Sequence, residues 1–336
     1  EGGGQNLKKG IGSRERRMRN KSLYIYGVIF AVLAVAPLFL NPYWVDVLNN
    51  VGLYAILGLS LNLIVGHAGL FNLGHAAFFA VGAYTAAILN TQFAIPVLWL
   101  LPVCALAAGL FAAVIARPII HLRGDYLCIV TIGVGEILRI ALTNDIFGVT
   151  GGPNGIFGIS RPTVFGYVIR RPHEFYYLIG AFLMITIFLF HRLENSRFGR
   201  AVNYLREDET AAEGSGIDTS HYKLAVFVLG AAWAGMAGDL FAAKMTIIAP
   251  ESFSFWESVV MFAIVILGGS GSIPGVLLGA VLFVGLPEAF RDFADARMLI
   301  FGAAMVVMMI VRTEGILPQR PRLYPLPGPG GAGGKP

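Results

Sequence analysis

The chain is short of charge and shorter still of cysteine. Of its 336 residues, 13% are charged, against about 25% in a soluble domain. Cysteine occurs only at Cys104 and Cys128. Both fall in apolar runs with no metal-ligand spacing, so each reads as a small buried hydrophobe. Catalytic signatures are missing as well. The turn-dense segment Gly148-Val149-Thr150-Gly151-Gly152-Pro153-Asn154-Gly155 is glycine-rich. No Gly-Lys-Ser/Thr follows it and no strand precedes it, so it is not a Walker site. HExxH, GxSxG and paired-cysteine motifs are absent too, and the chain shows no catalytic apparatus. Short alternating segments of the β-barrel kind are not seen. No small-residue cleavage pattern stands before the first apolar run.

What is present is apolar: 56% of residues are hydrophobic and the mean hydropathy is +0.69. Runs of about 20 apolar residues are what a helix needs to cross hydrocarbon. The spacing predicts spans at 23–40, 47–65, 74–89, 95–116, 126–147, 175–190, 223–245, 255–267, 274–286 and 299–311. The fold class expected is an all-α polytopic membrane protein of about ten transmembrane helices. A glycine-rich break, Gly268-Gly269-Ser270-Gly271-Ser272, separates the eighth span from the ninth.

Charge sets the orientation. Residues 1–22 hold Lys8, Lys9, Arg14, Arg16, Arg17, Arg19 and Lys21, a basic N-terminal segment expected to stay cytoplasmic. The membrane domain then runs over 23–313, and a Pro/Gly-rich tail over 314–336. Ten spans put Arg312, Arg320 and Arg322 inside with the N-terminus; nine would put them outside. Arg161, Arg170 and Arg171 fall outside in either case, in a long connection where the rule is weaker. The net charge of +5 follows from these span-end clusters, and nucleic acid is not an expected partner.

Residues 192–222 form an island of charge. Val202, Leu205 and Ala212 recur at near-helical spacing among Arg197, Arg200, Arg206, Glu207, Asp208, Glu209 and Glu213. Such a helix is either a solvated or lipid-surface connection, or a handle that another protein grips.

Within the spans, glycines at 66, 69, 74, 82, 230, 235 and 238, and the Gly275-xxx-Gly279 pair, suit close helix packing. His67, Asn72 and His75 sit at a span junction, where broken backbone must be buried in protein or line a wet cavity. The ionisable residues inside spans are Glu136, Arg139, Asp239, Lys244 and Glu257. Glu136 and Arg139 are placed to pair on one helix face, either structurally or along a pathway. Asp239 and Lys244 are expected to reach the interface by snorkelling.

Four stretches together, VGHAGLFNLGHAAFFAVGAY, LRGDYLCIVTIGVGEILRIALTN, TGGPNGI and GRAVNYLREDETAAEGSGID, resemble the LivM-type permease subunits of bacterial branched-chain amino acid ABC importers. The resemblance covers roughly residues 54–285. It implies an inner-membrane assembly of two homologous permeases, two cytosolic ATPases and a periplasmic substrate-binding protein, with no cofactor in this chain. It also implies that the 192–222 loop carries the ATPase-coupling helix. Thr210, Ala211, Ala212 and Gly216 hold the register of the family's EAA-like pattern, with Thr210 where that pattern has Glu. The coupling set is then Arg200, Val202, Leu205, Arg206, Glu207, Glu209, Ala211, Ala212 and Gly216. Val202, Leu205 and Ala212 are expected to pack into the ATPase groove, with Arg206 and Glu207 in peripheral charge pairs. The candidate pathway residues are His67, Asn72, His75, Glu136 and Arg139, near the second, fifth and eighth spans. An inverted five-helix pseudo-repeat would relate the breaks near Gly66 and Gly268. A urea or short-chain amide permease of the same superfamily is the nearest alternative. An ion-coupled secondary transporter, seeded by Glu136 or Asp239, is a more distant one.

Overall fold

The computed structural model describes residues 39–289 apart from 123, 146, 147 and 165, with residue 37 and scattered positions between 302 and 318. The basic segment 1–22, most of the first expected span and most of the last lie outside the described residues. Seven helices within the described part are long and apolar enough to cross a membrane. They are Pro42–His67, His75–Phe93, Val97–Ile119, Asp125–Thr143, Pro172–Glu194, Thr219–Met245 and Pro250–Gly268, with a shorter apolar stretch at Ile273–Glu288. Each matches an expected span.

The helices are labelled in chain order. Helix α1, Pro42–Asn62, runs on into a π turn at Leu63–His67. Helices α2 (His75–Phe93), α3 (Val97–Ile119) and α4 (Asp125–Thr143) follow. Helix α5 is Pro172–Glu194. The charged island forms α6 (Arg197–Glu207) and α7 (Glu209–Gly214). Helix α8 is Thr219–Met245. Helices α9 (Phe255–Gly268) and α10 (Ile273–Ala280) flank the glycine-rich break, and α10 continues through a second π turn at Val281–Gly285.

Helix α8 is the hub. It packs against α1, α2 and α3, burying Phe227, Ala231, Ala234, Ala237 and Leu240. Lipid tails are as apolar as leucine, so burial alone does not draw these helices together; close approach does. Glycine supplies it. A Cβ on Gly82 would lie 2.1 Å from the Gly235 carbonyl oxygen, and one on Gly238 would lie 2.4 Å from that of Phe79. Gly268 and Gly275 bring α9 against α10 in the same way, and Gly279 lies against the Ile264 carbonyl.

The connections at the α4–α5 end are short strands. β1 (Ile156–Phe157) pairs antiparallel with β4 (Ile247–Ile248) just after α8, and β2 (Thr163–Val164) pairs with β3 (Tyr167–Val168). Helix α4 stops at Thr143, short of the expected 147. Asp145 adopts a positive φ of 47°, and its carboxylate accepts from both the backbone N–H and the hydroxyl of Thr150 at 2.8 Å. Those two donors hold the Asp145 carboxyl below its ordinary pKa.

Cys104 is buried as expected, whereas Cys128 is only half-buried. It stands on α4, the least enclosed of the long helices, which exposes Tyr126, Ile129, Ile137 and Ile140.

Two glycines separate packing from openness. A Gly82→Val change forces β-carbon bulk into the α2–α8 seam and should lower stability by about 1–3 kcal/mol. Gly133, with nothing within 4 Å of an added Cβ, should accept alanine with no loss or a gain of up to about 1 kcal/mol. Thermal melting of the two purified variants reads the difference.

Candidate functional site

The charged island folds as two helices where one was expected. Ser196 caps α6, its hydroxyl accepting from Gly199 N at 3.2 Å. Asp208 is extended (φ −154°, ψ 107°) and so breaks the run. Its carboxylate then caps α7 by accepting from Ala211 N at 3.0 Å. Gly216 closes α7 in the left-handed region at φ +81°, with Ile217 N–H returning to the Ala212 carbonyl.

The apolar stripe is real, but its partner is the chain's own bundle. Val202, Leu205 and Ala212 are all buried, none more than 4% exposed. Val202 meets Leu59, Leu63 and Phe190 around a small cavity. Leu205 lies with Leu70, Phe71, Leu122 and Leu127 around a cleft of about 190 Å³. The expected insertion of these three side chains into a second protein is therefore corrected: amphipathic spacing shows which side is apolar, not what covers it. Arg206 Nη1 donates to the Gly66 carbonyl, a contact within the chain that the expected charge pair did not include.

Charged residues hold α7 down. Glu209 forms an ion pair with Lys223 of α8, whose side chain is almost wholly buried. The Glu213 carboxylate accepts from the Thr219 hydroxyl at 2.7 Å. What remains outward is a polar rim: Arg200, Tyr204, Glu207, Thr210, Ala211 and Gly216. Lys223 had no place in the sequence reading, because it merely opens an apolar span; only its position fourteen residues after Glu209 hinted at the pair.

The span junction is a second polar cluster. Between His67 and His75 the chain leaves the helix, and its backbone groups take side-chain partners. Leu73 N donates to Thr131 Oγ1 at 3.2 Å, Gly74 N to Asn72 Oδ1 at 3.0 Å, and Ala76 N to Ser258 Oγ at 2.9 Å. The Ser60 hydroxyl donates to the Leu57 carbonyl at 2.7 Å. Its oxygen is thus left to accept from His75 Nε2, also at 2.7 Å, while the Asn72 amide donates to His75 Nδ1 at 3.4 Å. His75 is a neutral ring with both nitrogens used. His67, Asn72 and His75 are all buried; Asn72 braces the broken backbone directly, and His75 ties Asn72 to Ser60 of α1.

Glu136 and Arg139 are placed differently. They pair on one face of α4, with Arg139 Nη2 at 2.8 Å and Nε at 2.9 Å from Glu136 Oε2. Each side chain is about one-third exposed. The structure does not bring them together with the His67–His75 cluster, although Thr131 of the same helix touches it.

The snorkelling expected of Asp239 and Lys244 is corrected. Asp239 is fully buried, and neither carboxyl oxygen has a hydrogen-bond partner among the described residues. Lys244 turns back to Asp46 at 2.9 Å and to Asn50. Glu257 is bound by the Tyr54 hydroxyl. Among the described residues no cluster of three or more His, Cys, Asp or Glu side chains has the arrangement of a metal site.

Seven membrane-length helices, broken backbone braced inside the bundle and a charged rim on helices held against it define a polytopic membrane protein of the permease class. Residues 43–310 match the family described as the permease component of the branched-chain amino acid transport system, and the chain belongs to that family. It is 42% identical over 324 residues to the high-affinity branched-chain amino acid transport system permease protein LivM of Escherichia coli K12, covering 89% of this chain and 76% of that protein. It is 26% identical to the probable LivM permease of Methanocaldococcus jannaschii, over 82% of this chain and 93% of that one. It is also 26% identical to the permease protein LivH of Salmonella typhimurium LT2, over 79% and 91%. No solved structure matches. The chain is a LivM-type permease component, not an enzyme.

The Lys223–Glu209 pair gives a direct test of what holds α7. Replacing Lys223 alone by leucine takes the ammonium away from a largely enclosed carboxylate and should cost about 1–3 kcal/mol. Adding Glu209→Leu should recover at least half of that loss in thermal melting of the purified protein.

Proposed function

We propose that the chain supplies half of a path for branched-chain amino acids through a bacterial inner membrane. A second homologous permease supplies the other half, two cytosolic ATPases drive it, and a periplasmic binding protein delivers the substrate. The proposed orientation places the N-terminus, the α6–α7 rim and the C-terminal tail inside, with ten spans and an inverted five-helix repeat. The observation that carries the reading is the α6–α7 rim. Its inner side is fixed to α1, α5 and α8 by buried contacts and the Lys223–Glu209 pair, while its outer side is polar and open. A motor in another chain needs such a handle, because force crosses a protein interface only through a part that does not yield. Arg200, Tyr204, Glu207, Thr210, Ala211 and Gly216 form the gripping surface. Val202, Leu205 and Ala212 tie it to the bundle.

The path follows the open face of α4. A charge at membrane depth is costly against lipid and is normally turned to protein or water. Glu136 and Arg139 keep one-third exposure on a helix that this chain leaves largely uncovered. That face suits the second permease, with the ion pair where the two chains enclose water. Two related substrates remain in view. The relatives' names favour branched-chain amino acids, while urea or a short amide is the alternative, settled by which ligand the binding protein takes. Gradient-driven uptake by the chain alone would instead support a secondary transporter.

Two experiments follow. Tyr204→Asp combined with Ala211→Arg should reduce recovery of the ATPase subunits with the permease, and uptake, at least tenfold at unchanged permease level. Normal recovery would remove the rim from the interface. A Gly133→Cys variant in a Cys128→Ser background should react with an aqueous thiol reagent at a rate that changes with bound nucleotide. Protection in every nucleotide state would exclude α4 from the path.

A further inference from the structure

Arg206 is an exposed residue, yet one nitrogen of its guanidinium, Nη1, turns inward to a carbonyl. That carbonyl belongs to Gly66, in the π turn that ends α1. In an uninterrupted α-helix the N–H of residue 70 would take the carbonyl of residue 66. Here Leu70 N–H reaches back to Ile64 O at 3.1 Å instead. The Gly66 carbonyl is thus a helix-end acceptor seeking a donor, and Arg206 of α6 provides it.

Two further contacts meet at the same point. Asn62 Oδ1 accepts from Gly271 N at 2.8 Å, so the π turn is joined to the break between α9 and α10. Nothing larger than glycine fits between them, since a Cβ on Gly66 would lie 2.0 Å from Asn62 Oδ1 and 2.5 Å from Gly271 N. Gly69, at φ +68°, presses on the arginine stem, and a Cβ there would lie 3.3 Å from Arg206 Cγ. Beyond Gly69 the chain runs on to Leu73 and Gly74, which rest on Thr131 of α4, the helix that carries the Glu136–Arg139 pair.

We propose that Arg206 is the positioning residue through which displacement of α6 reaches the path. It draws on the Gly66 carbonyl, and the π turn shares the load between the α9–α10 break and the 68–74 segment leading to α4. The inference rests on the α6–α7 rim being the ATPase seat, and assigns Arg206 a role inside the permease, not at the interface. The rim residues are gripped; Arg206 transmits. A π turn suits this task, because such single-turn interruptions of a helix are rare and are found mostly at functional sites.

The test uses the complete transporter reconstituted in vesicles with its ATPases and binding protein, reading leucine uptake and ATP hydrolysis together. Arg206→Ala should leave the complex intact and ATP hydrolysis stimulated by loaded binding protein within twofold of native. Uptake per ATP should fall at least tenfold. Arg206→Lys keeps a cationic donor and should restore the ratio to within threefold. Gly69→Ala keeps the arginine but strains its stem, and should lower the ratio as alanine at 206 does. If Arg206→Ala does not accumulate, the lysine and Gly69 variants decide. An unchanged ratio in Gly69→Ala, or uptake and hydrolysis falling in parallel, overturns the proposal. Loss of the ATPases from Arg206→Ala overturns it while supporting the seat. ATPases retained by the Tyr204→Asp, Ala211→Arg variant remove the seat itself.

Discussion

Inside hydrocarbon, every backbone N–H and C=O must find its partner within the protein. The rest of the structure depends on that constraint. The chain departs from helix at 68–74 and again at 269–272, and in both places backbone groups are met by side chains, from other spans or, for Asn72, from the segment itself. Thr131, Ser258, Asn72 and Asn62 each serve a backbone N–H. These are small neutral polar groups that carry no unpaired charge into the bundle. The glycines do the complementary work. They let two helices, or a helix and a turn, come close enough for one short side chain to bridge them.

The membrane class and the placing of the spans were legible because long apolar runs have few other uses. The glycine seam was legible too, since small residues at helical spacing in lipid mean contact. The pairing of Glu136 with Arg139 followed from spacing on one helix. Other features were not readable, for reasons that differ from residue to residue. Val202, Leu205 and Ala212 were recognised as one apolar side, but a helical period cannot say which body lies opposite. Asp208 is a common capping residue, so the division into α6 and α7 was available in principle; the surrounding charges hid it by resembling a continuous exposed face. Arg206 and Gly66 are 140 residues apart, and no local pattern joins them. Asp239 was misplaced because its distance from the span end, counted along the chain, suggested reach to the interface. Its neighbours in α2 and α3 close that route.

Apolar packing and polar restraint have separate roles in the charged segment. The stripe beneath α6 and α7 sets where they lie. The Lys223–Glu209 and Glu213–Thr219 contacts set how firmly they are held. With both satisfied inward, the outward side of α6 and α7 is left polar and open, and it is the surface proposed as the ATPase seat.

At the opposite end of the bundle, β1 and β4 are only two residues long, yet they fasten the loop after α4 to the exit of α8. Gly155 makes the fastening tight, because a β-carbon there would sit 1.9 Å from the Ile248 carbonyl oxygen. Asn90 adds a stitch from α2, binding Ser160 through both its amide and its carbonyl. If α8 tilts or turns, this loop cannot stay behind, because both ends of the contact are backbone.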